Sequence, residues 1–237
     1  MAPRIQAREA RYELARRLRQ DLGLPYKQIA ARLQVSVATA YAWTSDIELS
    51  QEQNHRNFYG PGGPGDPKVI AARNAAWSDR CRRKRSEAQG KGRLLARKGD
   101  PLHAAGCMLF WAEGSKRRNE VKLCNSDPQL LAFFVRFLRL CFEVEPPDLS
   151  ISLNVYTTNG LSIEMIENRW LEALALPQTC LRKHQLNHFP TSTSGRKKNK
   201  LPYGACTLRV LRSTHLVQHI YGAIQEYGGF DEPAWLD

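Results

Sequence analysis

The sequence predicts an α+β protein: a three-helix segment at the N-terminus, a basic helical linker, and a C-terminal domain that mixes helices and strands. Apolar residues recur every three or four positions over residues 7–20, as in an amphipathic helix. Beyond residue 102 helical and strand-like patterns alternate. Between the two parts, residues 59–67 hold three prolines and four glycines, which predicts a flexible joint. We place the three parts at residues 1–50, 51–101 and 102–237.

The composition is that of a globular protein that works inside the cell. Hydrophobic residues make up 42% of the 237 positions. The absence of a long apolar run argues against a membrane span, and the charged first twenty residues argue against a signal peptide. Six scattered cysteines without a CxxC pair favour free thiols, several of them buried. We therefore expect a cytoplasmic, nucleoid-associated protein with no membrane partner.

Positive charge is concentrated in the middle of the chain. The net charge is +12, and residues 61–103 carry eleven Lys and Arg against four Asp and Glu. This excess favours a polyanionic partner, although a solvated charged linker is the simpler alternative. The predicted helix over residues 68–98, which we expect Gly90 and Gly92 to interrupt, carries four adjacent candidates for phosphate contact: Arg82, Arg83, Lys84 and Arg85.

The first 45 residues have the spacing of a helix-turn-helix motif. Helices are predicted over 7–20, 26–33 and 37–45, and residues 46–67 lack periodicity. The positions that the motif buries hold Ile29, Ala30, Leu33, Val35, Ala40 and Trp43. Ser36 is suited to cap the third helix. Gln34 stands in the turn where glycine is common. In such motifs the third helix enters the major groove of DNA.

Two sets of side chains follow from this interpretation. The candidates for base contact, on or next to the third helix, are Ser36, Val37, Thr39 and Tyr41. The candidates for phosphate contact on the second helix are Lys27, Gln28 and Arg32. A single helix-turn-helix motif usually binds DNA too weakly to specify a site. We therefore expect a homodimer or the second domain to add contacts.

The second domain is predicted to contain four helices and four strands. The helices fit residues 102–112, 128–142, 161–175 and 213–227, and the strands fit residues 120–125, 149–157, 180–189 and 203–211. Ile151, Leu153 and Val155 alternate with polar residues, which is typical of a strand with one face in water. A polar, strongly basic loop over residues 191–200 joins the last two strands.

The segments AAGCMLFWAEGSK (104–116) and VKLCNSDPQLLAFFVRFLR (121–139) resemble the LAGLIDADG homing-endonuclease family. Glu113-Gly114 matches the acid-glycine pair that ends the family's helix, and Asn125-Ser126-Asp127 matches its strand end. The resemblance implies that Glu113 is a catalytic residue that binds a divalent metal such as Mg²⁺, with a homodimer supplying two active sites. Glu113 could equally be a helix-end carboxylate held by Lys116 or Lys122.

The same resemblance implies an antiparallel sheet whose polar face lies on double-stranded DNA. The strand residues that would touch DNA are Asn154, Tyr156, Arg182, Lys183, Gln185 and Asn187. The loop residues that would hold phosphates are Arg196, Lys197, Lys198 and Lys200.

Histidines offer a weaker alternative. His215 and His219 lie four apart on a predicted helix, a spacing that could bind zinc. Cys180, His184 and His188 lie four apart on a predicted strand, too widely spaced to share one ion. We favour structural or DNA-facing roles for these histidines.

Three functions remain open from the sequence. The first is a non-catalytic, sequence-specific DNA-binding protein, most simply a transcription regulator, which needs no cofactor. The second is a Mg²⁺-dependent site-specific DNA endonuclease that uses Glu113. The third, which rests on charge alone, is an RNA-binding or architectural protein. We favour the regulator.

Overall fold

The computed structural model describes residues 2–156, 160–187 and 201–237, and only the backbone of residues 2–5. The chain divides into two compact units, Met1–Asp79 and Arg80–Asp237. The finer division at residues 50 and 101 stays a prediction. Within the described residues no helix is both long and apolar enough to cross a lipid bilayer.

The first unit contains the three predicted helices and a fourth that the sequence analysis did not predict. The second and third helices agree with the prediction to within a residue, whereas the first begins five residues earlier than predicted. The helices are α1 (Ala2–Gln20), α2 (Tyr26–Leu33), α3 (Val37–Thr44) and α4 (Gln51–Tyr59).

The helix α4 corrects the prediction that residues 46–67 lack regular structure. It begins with a capping box, in which the Ser50 hydroxyl accepts from the Gln53 backbone N–H and the Gln53 side chain accepts from the Ser50 N–H. Its other polar side chains bind carbonyls of the α1–α2 connection: Arg56 donates to Leu22 and Asn57 donates to Gly23. The helix thus braces that connection by hydrogen bonds, because it buries no side chain of its own.

The glycine- and proline-rich residues that follow α4 form a hydrogen-bonded turn where the sequence predicted a flexible joint. The Asp66 carboxylate accepts from the backbone N–H of Gly62 at 2.7 Å and from that of Lys68 at 2.9 Å. The same carboxylate therefore closes the turn and precedes the first residue of the next helix, α5 (Pro67–Ala96). These backbone donors hold the pKa of Asp66 below its usual value.

The helix α5 runs without a break for 30 residues, so the predicted interruption at Gly90 and Gly92 is wrong. Gly92 is buried against α9 (Thr214–Gly228), and a methyl group there would overlap the His219 carbonyl oxygen. Gly222 on α9 lies equally close to the backbone of Gln89. The two helices therefore cross with their backbones in contact, which requires glycine at both positions.

The second unit packs four further helices against one sheet. Its remaining helices are α6 (Pro101–Glu113), α7 (Pro128–Phe142) and α8 (Ile163–Leu174). Its strands are β1 (Val121–Asn125), β2 (Leu149–Tyr156), β3 (Gln185–Asn187) and β4 (Ala205–Val210). The strand order is β1-β4-β2-β3.

Two predictions about the sheet are corrected. Of the described part of the predicted strand, residues 180–187, β3 covers only Gln185–Asn187, because Cys180 lies in a short 3-10 turn and residues 181–184 form no strand beyond one bridge at Leu181. The sheet is not wholly antiparallel either. The strand β4 is antiparallel to β1 and β2, but β3 runs parallel to β2.

Alternate residues of the three longer strands bury one face of the sheet. Val121, Leu123, Ile151, Leu153 and Leu208 belong to a single core that also takes in side chains from α6, α7, α8 and α9. The opposite face carries mainly polar residues, as the alternation in β2 predicted. Ser152, Asn154 and Thr207 lie on this open polar face.

Candidate nucleic-acid interface

A small apolar core holds α1, α2 and α3 together. Ala15, Ile29, Ala30, Leu33 and Ala40 are buried, and Val35 and Trp43 pack against them. All six positions that the helix-turn-helix spacing assigned to the interior are thus buried or half-buried. Small residues at positions 30 and 40 let α2 and α3 approach closely, and this contact fixes α3 relative to the rest of the unit.

The turn between α2 and α3 is made by Gln34, whose backbone lies in the left-handed region with φ 53° and ψ 45°. That conformation lets the Val35 N–H reach the Ala30 carbonyl at 3.0 Å and ends α2. Two residues later Ser36 caps α3, because its hydroxyl accepts from the Thr39 N–H at 3.0 Å. The side-chain hydroxyls of Ser36 and Thr39 are also hydrogen-bonded, at 2.8 Å.

The outer face of α3 is exposed. Val37 is 47% exposed and Tyr41 is 55% exposed, although both are large apolar or aromatic side chains. Ala38 and Ala42 are exposed beside them. A helix that buries only Ala40 and Thr44, and presents its other side to water, has the form required of a helix that enters a groove.

The candidates on this face differ in their freedom to contact a base. Thr39 is half-buried and its hydroxyl is already bonded to Ser36. Tyr41 packs edge-on against Tyr26, with ring centroids 5.2 Å apart. Tyr26 in turn lies under the Arg19 guanidinium, which also donates to the Tyr26 hydroxyl at 3.1 Å. Val37 and Tyr41 therefore offer the most surface, and Tyr41 is held in place from behind.

The arginines that support this face were missed by the sequence analysis. Arg16 on α1 binds both oxygens of Asp46, just after α3, at 2.7 Å each, and donates to the Trp43 carbonyl at 3.0 Å. The hydrogen bond from Arg16 holds the pKa of the Asp46 carboxyl below its usual value. Arg19 donates to the Leu24 carbonyl at 2.9 Å. Arginines at positions 16 and 19 of α1 lie on its inward side, next to Ala15 and Leu18, and that spacing was a usable signal.

The predicted phosphate contacts of α2 are all on its surface. Lys27, Gln28 and Arg32 are exposed, whereas Ile29, Ala30 and Leu33 face the core. A polar face that begins at the first turn of α2 is suited to the DNA backbone beside the groove that α3 would enter.

Of the four basic residues at positions 82–85 of α5, two contact the C-terminal segment and two are exposed. Arg82 pairs with the Asp237 carboxylate, and Arg85 donates to the Leu236 carbonyl at 2.6 Å. Burial and the neighbouring Arg118 lower the pKa of Arg85. Arg83 and Lys84 are exposed. Two of the four residues proposed for phosphate contact thus hold the C-terminal segment within their own unit.

The polar face of the sheet brings four of the predicted contacts together. Asn154 and Tyr156 of β2 lie in register with Gln185 and Asn187 of β3. The Asn187 side-chain amide donates to the Asn154 side-chain oxygen at 2.7 Å. Neighbours in a parallel pair share a face, so these four side chains lie on one surface.

Two further predicted contacts of the second domain, Arg182 and Lys183, do not lie on a strand. Arg182 donates to the carbonyls of Thr179 and Leu181, and Lys183 is exposed on the irregular segment before β3. The loop residues Arg196, Lys197, Lys198 and Lys200 lie outside the described residues.

Glu113 is the last residue of α6 and is exposed. The Lys116 ammonium group donates to the Trp111 carbonyl and not to the Glu113 carboxylate. Over the described ranges no group of three or more His, Cys, Asp and Glu could hold a metal ion. Within one copy of the chain, Glu113 thus belongs to no such group of described residues.

Of the histidines considered as metal ligands, His184 and His219 have protein partners, whereas His215 is exposed. The Leu153 N–H donates to His184 Nδ1 at 3.1 Å, and His184 Nε2 lies 2.7 Å from the Glu167 carboxylate. His219 Nε2 lies 3.3 Å from Nε2 of the buried His103, whose Nδ1 bonds to Tyr227. Burial lowers the pKa of His219 to about 4. His188 lies outside the described residues.

Comparison with known families bears on the first unit alone. The sequence model of a homeodomain-like domain matches residues 6–52. This match covers most of α1, all of α2 and α3, and the N-cap residue Ser50 of α4, so the chain carries a helix-turn-helix domain of homeodomain-like type. No curated protein and no solved structure matches the chain.

Proposed function

We propose that the chain is a sequence-specific double-stranded DNA-binding protein, and that it regulates transcription from the site it binds. The observation that carries the proposal is the exposed face of α3, where Val37 and Tyr41 project from a helix that is fixed on its other side. The homeodomain-like match over the same residues supports it. In proteins of this class such a helix reads base edges in the major groove.

The base contacts that we propose come from four residues on or next to α3. Val37 meets a thymine methyl group, and the Tyr41 hydroxyl bonds to a base edge, with Ser36 and Thr39 completing the N-terminal end. Lys27, Gln28 and Arg32 of α2 bind the adjacent phosphates. The hydrogen bonds of the Ser36 cap and the packing of Tyr26 behind Tyr41 hold these groups in place before DNA arrives.

The second domain adds contacts in this proposal. The residues that we propose on the open face of the sheet are Asn154, Tyr156, Gln185 and Asn187, next to Arg182 and Lys183. Arg196, Lys197, Lys198 and Lys200 supply phosphate contacts. The support is the polar face of the sheet, on which Asn154 is exposed, together with the likeness of residues 104–139 to LAGLIDADG domains. A homodimer that binds two half-sites is the second source of added affinity.

The test is selection of bound duplexes from a random pool, followed by binding measurements on the selected duplex and on a scrambled duplex. We expect a preference of about a thousandfold for the selected sequence. The complex should also weaken with salt, by a slope of about −0.9 for each neutralised phosphate. Equal affinity for the two duplexes would contradict the proposal.

Incubation of the selected duplex with the protein and Mg²⁺ tests the endonuclease alternative. We expect an intact duplex, because Glu113 belongs to no group of three or more metal-binding side chains among the described residues. Defined cuts that Glu113→Gln abolishes would favour the endonuclease.

A further inference from the structure

A cavity of about 390 Å³ lies in the second unit, between the end of α7 and the connection from β4 to α9. Small-molecule sites in proteins are concave, have volumes of about 300–1,000 Å³ and combine apolar walls with a few polar groups. The apolar residues that line this cavity include Phe142, Val144, Val210 and Leu216. Its volume and its lining therefore meet the general requirements of a site for a small organic molecule.

The walls of the cavity are held by contacts within the second unit. The Phe142 ring packs edge-on against His219, with ring centroids 5.0 Å apart. His219 is held from behind, because its Nε2 lies 3.3 Å from Nε2 of the buried His103. The Leu211 N–H donates to the Asp148 carbonyl at 2.8 Å, which joins the β4–α9 connection to the residue before β2. The cavity is thus largely preformed, which lowers the entropic cost of binding a ligand.

The charged residues at the cavity leave one carboxylate without a partner. Arg212 donates to the Asp148 carboxylate at 3.1 Å, so these two charges offset each other. Glu143 is exposed, and no hydrogen bond or ion pair to another described residue engages its carboxylate. Burial lowers the pKa of His219 to about 4, so its imidazole is neutral at pH 7. The excess charge at the cavity is therefore negative, which favours a cationic ligand.

Glu143 and Arg212 share an unusual backbone conformation. Their φ angles are 54° and 50°, in the left-handed region that residues with a side chain rarely adopt. Among the described residues only four other than glycine have a positive φ, and two of the four line this cavity. Sparsely populated backbone conformations concentrate at ligand sites. Their occurrence here supports a binding role for the cavity.

We propose that this cavity binds a small organic cation with an apolar body, and that Glu143 pairs with its ammonium group. The apolar walls contact the body of the ligand, and the Glu143 carboxylate accepts hydrogen bonds from the ammonium N–H groups. The lining residues are separate from every residue proposed above for DNA contact. The inference therefore goes beyond the proposed function and stands or fails independently of it.

The test measures how three probes of similar shape and different charge bind to the full chain. Phenethylamine carries an ammonium group, phenylacetate carries a carboxylate, and 2-phenylethanol is neutral. The measurements are made at pH 8, so that histidine protonation adds little. We expect phenethylamine to bind with a Kd of about 1 mM, about tenfold more tightly than phenylacetate, with 2-phenylethanol between them. In NMR spectra, phenethylamine should shift the amide signals of residues 142–148 and 210–219 in a saturable way.

A pair of variants tests the role of the carboxylate. Glu143→Gln should weaken phenethylamine binding about fivefold and leave 2-phenylethanol binding unchanged. Glu145→Gln is the control, because Glu145 is exposed two residues later and does not line the cavity. Equal effects of the two variants would overturn the inference. The same conclusion would follow from a lack of saturable phenethylamine binding, from phenylacetate binding as tightly as phenethylamine, or from amide shifts confined to residues outside the cavity.

Discussion

Arg16 and Asp46 join the first helix to the end of the third by two parallel hydrogen bonds of 2.7 Å. Arg16 also donates to the Trp43 carbonyl. Two-point pairing of a guanidinium with a carboxylate fixes direction as well as distance. The pair therefore contributes to the orientation of α3, whose outer face carries the proposed base contacts.

Replacing Asp46 tests this pair through its pH dependence. The folded state lowers the pKa of Asp46, so the pair stabilises the protein above the unfolded value near 3.8 and stops doing so as the pH falls through the folded value. We expect Asp46→Asn to unfold at a lower temperature than the wild type at pH 7. The difference should shrink as the pH falls below 3.8. Glu48→Gln, at an exposed position nearby, is the control, and a difference that persists in acid would argue against the ion pair.

Gln34 carries conformational strain that glycine would relieve. Its φ of 53° costs a residue with a side chain about 1 kcal/mol. Part of the gain from glycine is offset by the greater entropy of the unfolded chain. We expect Gln34→Gly to raise the free energy of unfolding by about 0.5 kcal/mol and Gln34→Val to lower it by about 1 kcal/mol. Urea unfolding measures both, and a loss with glycine would show that the Gln34 side chain itself stabilises the turn.

Gly90 and Gly92 on α5 form a matched pair that differs only in surroundings. No atom outside the helix lies near a methyl group added to Gly90, whereas one added to Gly92 overlaps the α9 backbone. Gly90→Ala should raise the free energy of unfolding by about 0.5–1 kcal/mol through helix propensity. Gly92→Ala should lower it by about 2–3 kcal/mol through overpacking. Similar values for the two variants would contradict the close crossing of α5 and α9.

His219 makes the second unit sensitive to mild acid. Burial, with His103, His215 and Lys91 nearby, lowers its folded pKa to about 4, below the usual 6.5. The unfolded chain therefore takes up a proton first, and stability is lost as the pH falls from 6.5 to 4. After allowance for solvent screening, we expect a loss of about 2 kcal/mol.

Urea unfolding at several pH values checks this expectation. His219→Gln should show a smaller loss between pH 6.5 and 4 than the wild type does. His55→Gln, at an exposed position, should follow the wild type. Parallel pH profiles for His219→Gln and the wild type would contradict a neutral, buried His219.

The helix-turn-helix of α1, α2 and α3 was predictable because its sequence pattern is local. Six buried or half-buried positions and the Ser36 cap follow from residues within about twenty positions of one another. The helix α4 was also predictable, since Ser50 and Gln53 form a capping box. It was overlooked because its side chains pack against no core, so the sequence shows no apolar period.

Features that depend on distant residues could not be predicted in the same way. In the sequence alone, Gly92 is typical of a helix break. Its role at the crossing of α5 and α9 depends on Gly222, which lies 130 positions later and faces the same crossing. Arg82 and Arg85 were predicted to contact phosphates, because the sequence does not show that Asp237 and Leu236 lie against them. The direction of β3 depends on which neighbour it pairs with, and alternation along one strand does not specify that.

The most direct test of the central claim is to change the outer face of α3 and select DNA again. Val37→Gln replaces a methyl-contacting side chain with one that pairs with adenine. Leu140→Gln makes the same kind of change at an exposed position on α7. We expect the Val37 variant to select a sequence altered at one or two adjacent base pairs, and the Leu140 variant to select the wild-type sequence. If the Val37 variant selected the wild-type sequence with undiminished affinity, α3 would not be the element that reads the DNA.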